Sequence, residues 1–189
     1  MSRVESHIRV PTGGAPRRGW IPRTTLALVL CATGMVTLLS SPPSPTWAGE
    51  GRAVKAPEFA TWDVDGNQRK LVDFLNAKPI LLEFMSPDCP HCIEMAPILT
   101  RLHVSYGNRV QFLSVAFDKN PKRVQRFAQA EKHTWPYLMG NQQIIDAYRL
   151  EGVPMFCFVA PDGRLVKGVV GSMPETTLRE HIDALLKER

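Results

Sequence analysis

The strongest chemical signal in this chain is the tetrapeptide Cys89-Pro90-His91-Cys92, two thiols separated by two residues. Only a thiolate attacks a disulfide, and an ordinary cysteine, with a pKa of about 8.5, is mostly protonated at neutral pH. If a helix opens at Cys89-Pro90, the first cysteine lies beneath unpaired amide donors and the positive end of the helix dipole, and both stabilise the anion. Proline fits that first turn because no amide donor is lost there. The second cysteine then lies within one turn, close enough to resolve a mixed disulfide. The pattern assigns Cys89 as the exposed nucleophile and Cys92 as the more buried resolving thiol. Half of a zinc site and a plain structural disulfide are the competing readings. Zinc needs two further ligands, usually at short spacing, whereas Cys157, His103, His133 and His181 are isolated. A disulfide that closes so small a loop does little for stability.

The elements that hold the pair follow from periodicity. Residues 79–85 form a nearly continuous apolar run, the mark of a strand buried on both faces. A helix is predicted from Cys89-Pro90 to about Tyr106, ended by Gly107, with Ile93, Ala96, Ile98, Leu99 and Leu102 as its apolar positions. A second buried strand is predicted over 110–117, and a helix opens at Asn120-Pro121 with Val124, Phe127 and Ala128 on one face. A short helix over about 142–150 leads to a strand at 155–159, and Pro161-Asp162-Gly163 turns it into a partner at 165–170. Leu178, Ile182, Leu185 and Leu186 stripe a last helix. Ahead of the first central strand, 59–64 and 68–72 flank Asp65-Gly66 as a small hairpin. Strands alternating with helices make an α/β sheet, closed by an antiparallel hairpin.

Charge divides the chain. Residues 1–48 carry five arginines against Glu5, so +4 of the total +5 resides there, while 49–189 carry 18 Lys and Arg against 17 Asp and Glu. The body is near neutral, and no basic stripe points to nucleic acid. Residues 1–48 have the grammar of an export segment: arginines ending at Arg23, an apolar stretch from Thr24 to Leu39, then a Ser/Pro-rich run before Thr46-Trp47-Ala48. Cleavage after Ala48 is one reading, and a retained membrane anchor through residues 24–41 is the other, since about 20 residues span a bilayer. Either way the arginines stay in the cytoplasm and the domain at 49–189 faces outward. Arg17-Arg18 admits twin-arginine as well as general export. Cys31 sits within the apolar run as a small apolar residue.

Residues from about Ala56 to Leu186 resemble the thioredoxin superfamily, specifically its TlpA/ResA-type branch of exported oxidoreductases. Ala56-Pro57-Glu58-Phe59 with Asp65-Gly66 is similar to that branch's N-terminal hairpin, Glu83 lies six residues before Cys89 where the superfamily places a buried acid, and Pro97 lies eight after it where a helix-kinking proline stands. Gly152-Val153-Pro154 resembles the cis-proline segment that faces the redox pair. The resemblance implies a three-layer fold, a central mixed sheet flanked by helices with an N-terminal β-hairpin extension. It implies a thiol–disulfide oxidoreductase without a cofactor, with Cys89, Cys92 and Glu83 catalytic and Pro90, His91, Val153 and Pro154 facing the substrate. The partners it implies are exported proteins with cysteines, such as apocytochromes c and oxidase assembly factors, and a membrane or soluble thiol donor. Residue physics agrees: burial raises a carboxyl pKa, so Glu83 can take the Cys92 proton, and an X-Pro bond adopts the cis form at little cost.

Two departures bear on direction. Asp88 stands where that branch usually carries Trp, and an acid beside Cys89 disfavours its thiolate. Met155 replaces the usual Thr after the cis-proline. Pro-His as the inner dipeptide looks like the strongly oxidising, disulfide-introducing branch and pulls against Asp88; with the resemblance to TlpA/ResA-type exported reductases, a reductase is expected, with an oxidase as alternative. A Sco-type copper chaperone is a further alternative, although Sco-type proteins use a Cys-X-X-X-Cys spacing; Cys157 or His133 would then bind metal, and Met85, Met95 and Met155 would flank the site. A peroxiredoxin needs proline at position 82, where this chain has Leu82.

Overall fold

The computed structural model describes residues 54–75 and 78–188. The export segment and the division at residue 48 lie outside the described residues. Within them no helix is long and apolar enough to cross a membrane.

The chain enters through a hairpin, β1 (Ala60–Trp62) and β2 (Gln68–Lys70), followed by a 3-10 turn at Leu71–Phe74. It then runs β3 (Ile80–Met85), α1 (Pro90–Tyr106), β4 (Gln111–Ala116), α2 (Pro121–Ala130), β5 (Tyr137–Met139), α3 (Gln142–Tyr148), β6 (Met155–Val159), β7 (Leu165–Val170) and α4 (Glu175–Leu185). The five-stranded sheet has the order β5-β4-β3-β6-β7. β3, β4 and β5 are parallel, while β6 and β7 join antiparallel. This is the expected mixed α/β sheet, and β3 lies at its centre.

Strand alternation sorts the core into two layers. Leu81 and Met85 of β3, Phe112 of β4 and Phe156 and Phe158 of β6 pack against Leu99 and Leu102 of α1 and Leu178, Ile182 and Leu185 of α4. Leu82, Leu113, Met155 and Cys157 fill the opposite layer with Ile144 and Tyr148 of α3 and Phe59 and Leu71. Burial of Leu99 and Leu102 contributes roughly 1.5–3 kcal/mol each, which fixes α1 and the pair at its start. The buried stripe of α1 is Cys92, Met95, Ala96, Leu99, Leu102 and Tyr106. Ile93 falls off it and is 46% exposed, contrary to its place on the expected apolar face.

The hairpin is shorter than predicted because Asp63 turns the chain. Its carboxylate accepts from the amides of Asp65 and Asn67 and from the Arg69 guanidinium, at 2.8–3.0 Å. β2 ends at Lys70, and Val72 lies in the 3-10 turn rather than the strand. The edge strand β5 was not expected from the sequence. Its outer side is covered by the hairpin through an Asp63–Leu138 bridge and a 3.2 Å bond from the Val64 amide to the Tyr137 carbonyl. Gly163, at φ 84°, makes the predicted turn after β6.

Candidate functional site

Cys89 caps α1 and Pro90 takes its first turn, as the spacing requires. The loop before it closes through the Cys89 amide on the Ser86 carbonyl at 3.1 Å, and the Cys89 carbonyl accepts the first helical bond from Ile93 at 3.1 Å. Cys89 is half-buried while Cys92, one turn on, is 1% exposed, and both are free thiols. Burial pushes the Cys92 thiol well above the ordinary range. The Ser86 amide partly offsets this, and Cys89 and the charge on Glu83 add to it. The Cys92 thiol is therefore held in its protonated, weakly nucleophilic form.

Glu83 supplies a carboxyl on the same side of the sheet. Leu81, Glu83 and Met85 alternate toward α1, which places the acid in the layer that holds Cys92. Glu83 is 3% exposed, and burial raises it to about 7, against a lowering hydrogen bond from the Ser114 hydroxyl to Oε2 at 2.6 Å.

Val153-Pro154 closes the site from the other side. The peptide between them is cis, as the resemblance implies. The Cys89 thiol donates to the Val153 carbonyl at 3.3 Å, and the Pro154 carbonyl accepts from Gly171 at 2.7 Å. Of the expected site residues, Glu83, Cys89, Cys92, Val153 and Pro154 thus converge, and Pro90 and His91 form the exposed rim. His91 lies 3.2 Å from Glu94, both side chains about two-thirds exposed.

Asp88, whose charge was expected to oppose the pair, is not alone. Arg123 of α2 forms an ion pair with it and reaches Asp118 at 3.3 Å. Arg123→Ala should leave that negative charge uncompensated beside Cys89 and disfavour the dithiol form's anion. The pair's potential should fall by about 10–20 mV, the size of an exposed ion pair of under 1 kcal/mol. Glutathione titration of both proteins checks this.

Other expectations separate from the site. Cys157 is buried in the layer on the far side of the sheet, where burial pushes its thiol up to about 12. His133 is held by Tyr137 and by the Ala96 carbonyl. Met85, Met95 and Met155 are core residues. Among the described residues no three His, Cys, Asp or Glu side chains gather to hold a metal ion. Leu82, where a peroxidase signature requires proline, is fully buried within β3.

A dithiol at a helix start, a buried carboxyl behind it and a cis-proline across from it make an arrangement able to exchange disulfides. Comparisons with known proteins agree. The AhpC/TSA family model matches residues 53–167, more than half of the chain. The chain is 25% identical over 162 residues to thiol-disulfide oxidoreductase ResA of Geobacillus thermodenitrificans, covering 85% of this chain and 91% of that protein. It is 24% identical over 171 residues to ResA of Bacillus subtilis, covering 89% and 94%. Among solved structures, MTB dsbF superposes with a TM-score of 0.62 at 27% identity, covering 70% of this chain and 98% of that one. A thiol:disulfide interchange protein from Chlorobium tepidum TLS gives 0.65 at 19% identity, covering 72% and 99%. The chain belongs to the AhpC/TSA family and is a ResA-like thiol–disulfide oxidoreductase of thioredoxin fold, acting on proteins that contain cysteines.

Proposed function

We propose that the protein reduces disulfides of exported proteins outside the cytoplasm, with Cys89 as nucleophile, Cys92 as resolving thiol and Glu83 as its base. The observation that carries this reading is the asymmetry of the pair: a half-buried Cys89 sulfur bonded to the Val153 carbonyl, with Cys92 buried behind it. The Cys89 thiolate attacks a substrate disulfide and releases one substrate thiolate. Cys92 then gives its proton to Glu83 and attacks the Cys89 sulfur, forming the Cys89–Cys92 disulfide and releasing the second substrate thiolate. The substrate gains two electrons, and a membrane or soluble thiol donor restores the dithiol. Pro90, His91, Val153 and Pro154 border the substrate, the Val153 backbone offering a place for an extended peptide to pair. The domain at 49–189 carries this chemistry; residues 24–41 tether it or are removed with the leader. Cytochrome c or oxidase assembly is the setting that the TlpA/ResA-type resemblance implies.

A glutathione redox titration tests the direction. A reductase should lie near the value of about −270 mV of thioredoxin, and a value near about −120 mV would make the protein an oxidase. His91→Pro should lower the potential by about 30 mV, a tenfold change in the exchange constant. An unchanged potential would remove His91 from the tuning of the pair.

A further inference from the structure

Glu83 is held by a donor that is itself held. Ser114 lies opposite Glu83 in the β3–β4 register, is fully buried and donates its hydroxyl to Glu83 Oε2 at 2.6 Å. The Trp135 indole nitrogen lies 2.9 Å from the same serine oxygen. An indole N–H only donates, so Ser114 Oγ is the acceptor of that bond, and the single serine proton is left for the carboxyl. Trp135 is 7% exposed and fixed by its neighbours: His133 stacks on it with ring centroids 4.0 Å apart, and Phe112 lies tilted at 5.4 Å. His133 is tied in turn, at 3.0 Å, to the Ala96 carbonyl of α1, the helix that carries the dithiol.

Both bonds act in one direction. A hydrogen bond donated to a carboxylate favours the charged form, and a donor onto the serine oxygen strengthens the bond that serine passes on. The void lined by Leu81, Leu99, Phe112 and Trp135 among others is too small for a water molecule, so solvent has no share in the bonding on this side. Among the described residues no second hydrogen bond reaches the carboxyl. Without the serine, burial alone would keep Glu83 protonated through neutrality and silence it as a base.

We propose that Ser114, aligned by the Trp135 indole, is a positioning residue for the resolving step: it fixes Glu83 as a hydrogen-bond acceptor at Oε2, so that the buried carboxylate stands ready for the Cys92 proton. The proposal rests on the role of Glu83 given above. One proton moves, from the Cys92 sulfur to Glu83, while Ser114 and Trp135 keep theirs. The titratable groups whose charge reaches Glu83 are Cys92 from α1 and Tyr137 from β5, while β6 presents Phe156. Against Trp135 lie His133 and, at 4.9 Å, His103; burial lowers both, His133 to about 4.

The test reads the carboxyl and the reaction separately. Carbon NMR of protein carrying isotope-labelled glutamate follows the Glu83 carboxyl against pH, the signal being assigned by its loss in Glu83→Gln. Reaction of the dithiol protein with an aromatic disulfide releases one chromogenic thiol when Cys89 attacks and a second when Cys92 resolves. The rate of that second phase is followed over the same pH range. Ser114→Ala should raise the carboxyl midpoint by about one pH unit, tenfold in the ionisation constant. Trp135→Phe, which keeps a ring and loses the N–H, should raise it by roughly half a unit. In the Ser114→Ala background it should add nothing, because the indole acts through the serine. The midpoint of the resolving rate should move with the carboxyl in each variant. Thermal melting checks folding, and if Trp135→Phe does not fold, benzothienylalanine in place of Trp135 keeps the bicyclic ring without its N–H. An unmoved carboxyl midpoint in Ser114→Ala, or an equal Trp135→Phe shift with and without the serine, overturns the alignment while Glu83→Gln still abolishes the rate midpoint. Carboxyl midpoints that move while the rate midpoint stays overturn the base role of Glu83, and the part of Ser114 in resolution with it.

Discussion

Cys89→Ser should reduce insulin disulfide reduction to the uncatalysed background, whereas Cys92→Ser should keep the first attack and stall after it. The two thiols are close in sequence but differ in environment. Cys89 meets solvent at the start of α1, and its sulfur lies against the Val153 backbone where a substrate would dock. Cys92 is buried, and burial holds its proton in place. A hydroxyl at position 89 cannot form the anion at neutral pH and cannot enter disulfide exchange. A hydroxyl at 92 leaves attack intact and removes only the second step, so a mixed disulfide accumulates at one equivalent per protein. Equal losses of the first step in both variants would contradict the division of labour.

Glu83→Gln should slow resolution and at the same time stabilise the protein at alkaline pH. In the role of base proposed above, Glu83 works only when ionised, so the wild-type resolving rate should rise through about pH 7, where burial places this carboxyl, and the variant should be slow and flat across that range. The initial attack should be affected less than resolution. The stability effect follows by linkage. The folded state holds the Glu83 proton up to about 7, and the unfolded chain loses it near the ordinary 4.5. Between those values the native state binds more protons, so stability falls as pH rises through that window. The gap corresponds to about 3 kcal/mol that ionised Glu83 costs the fold above pH 7. Glutamine mimics the protonated acid and should match the wild type at pH 4 while exceeding it by about that amount at pH 8. Urea unfolding of the dithiol forms at the two pH values measures the difference, and a pH-independent difference would contradict a buried, ionising Glu83.

The central strand and α1 were readable from sequence because each is announced locally, by an apolar run and by proline at the first helical turn. The position of Glu83 came from its spacing relative to Cys89, and that of the cis Val153-Pro154 bond from the Gly152-Val153-Pro154 motif, both within a recognised frame. β5 escaped because only three residues lie between Pro136 and Gly140, and its strand character comes from pairing with β4 and from the covering hairpin. The partner of Asp88 also escaped, because Arg123 sits on the next helix and reaches Asp88 only through the crossover that follows β4. His133 read as one of several isolated histidines. For the partner of Glu83 a signal was present, since Ser114 is the polar residue between Phe112 and Ala116 on the strand face that meets α1. What the period could not supply was the register that sets Ser114 opposite Glu83, which only the sheet sets.

Mapping the cysteine that carries a trapped substrate tests the account most directly. Cys92→Ser is incubated with a disulfide-bonded exported protein, quenched by alkylation, digested and examined by mass spectrometry. The account predicts a substrate peptide joined through Cys89, with Cys157 unmodified in its buried strand and no adduct when Cys89→Ser is combined with Cys92→Ser. Capture through Cys157, or an adduct that persists in the double variant, would contradict it.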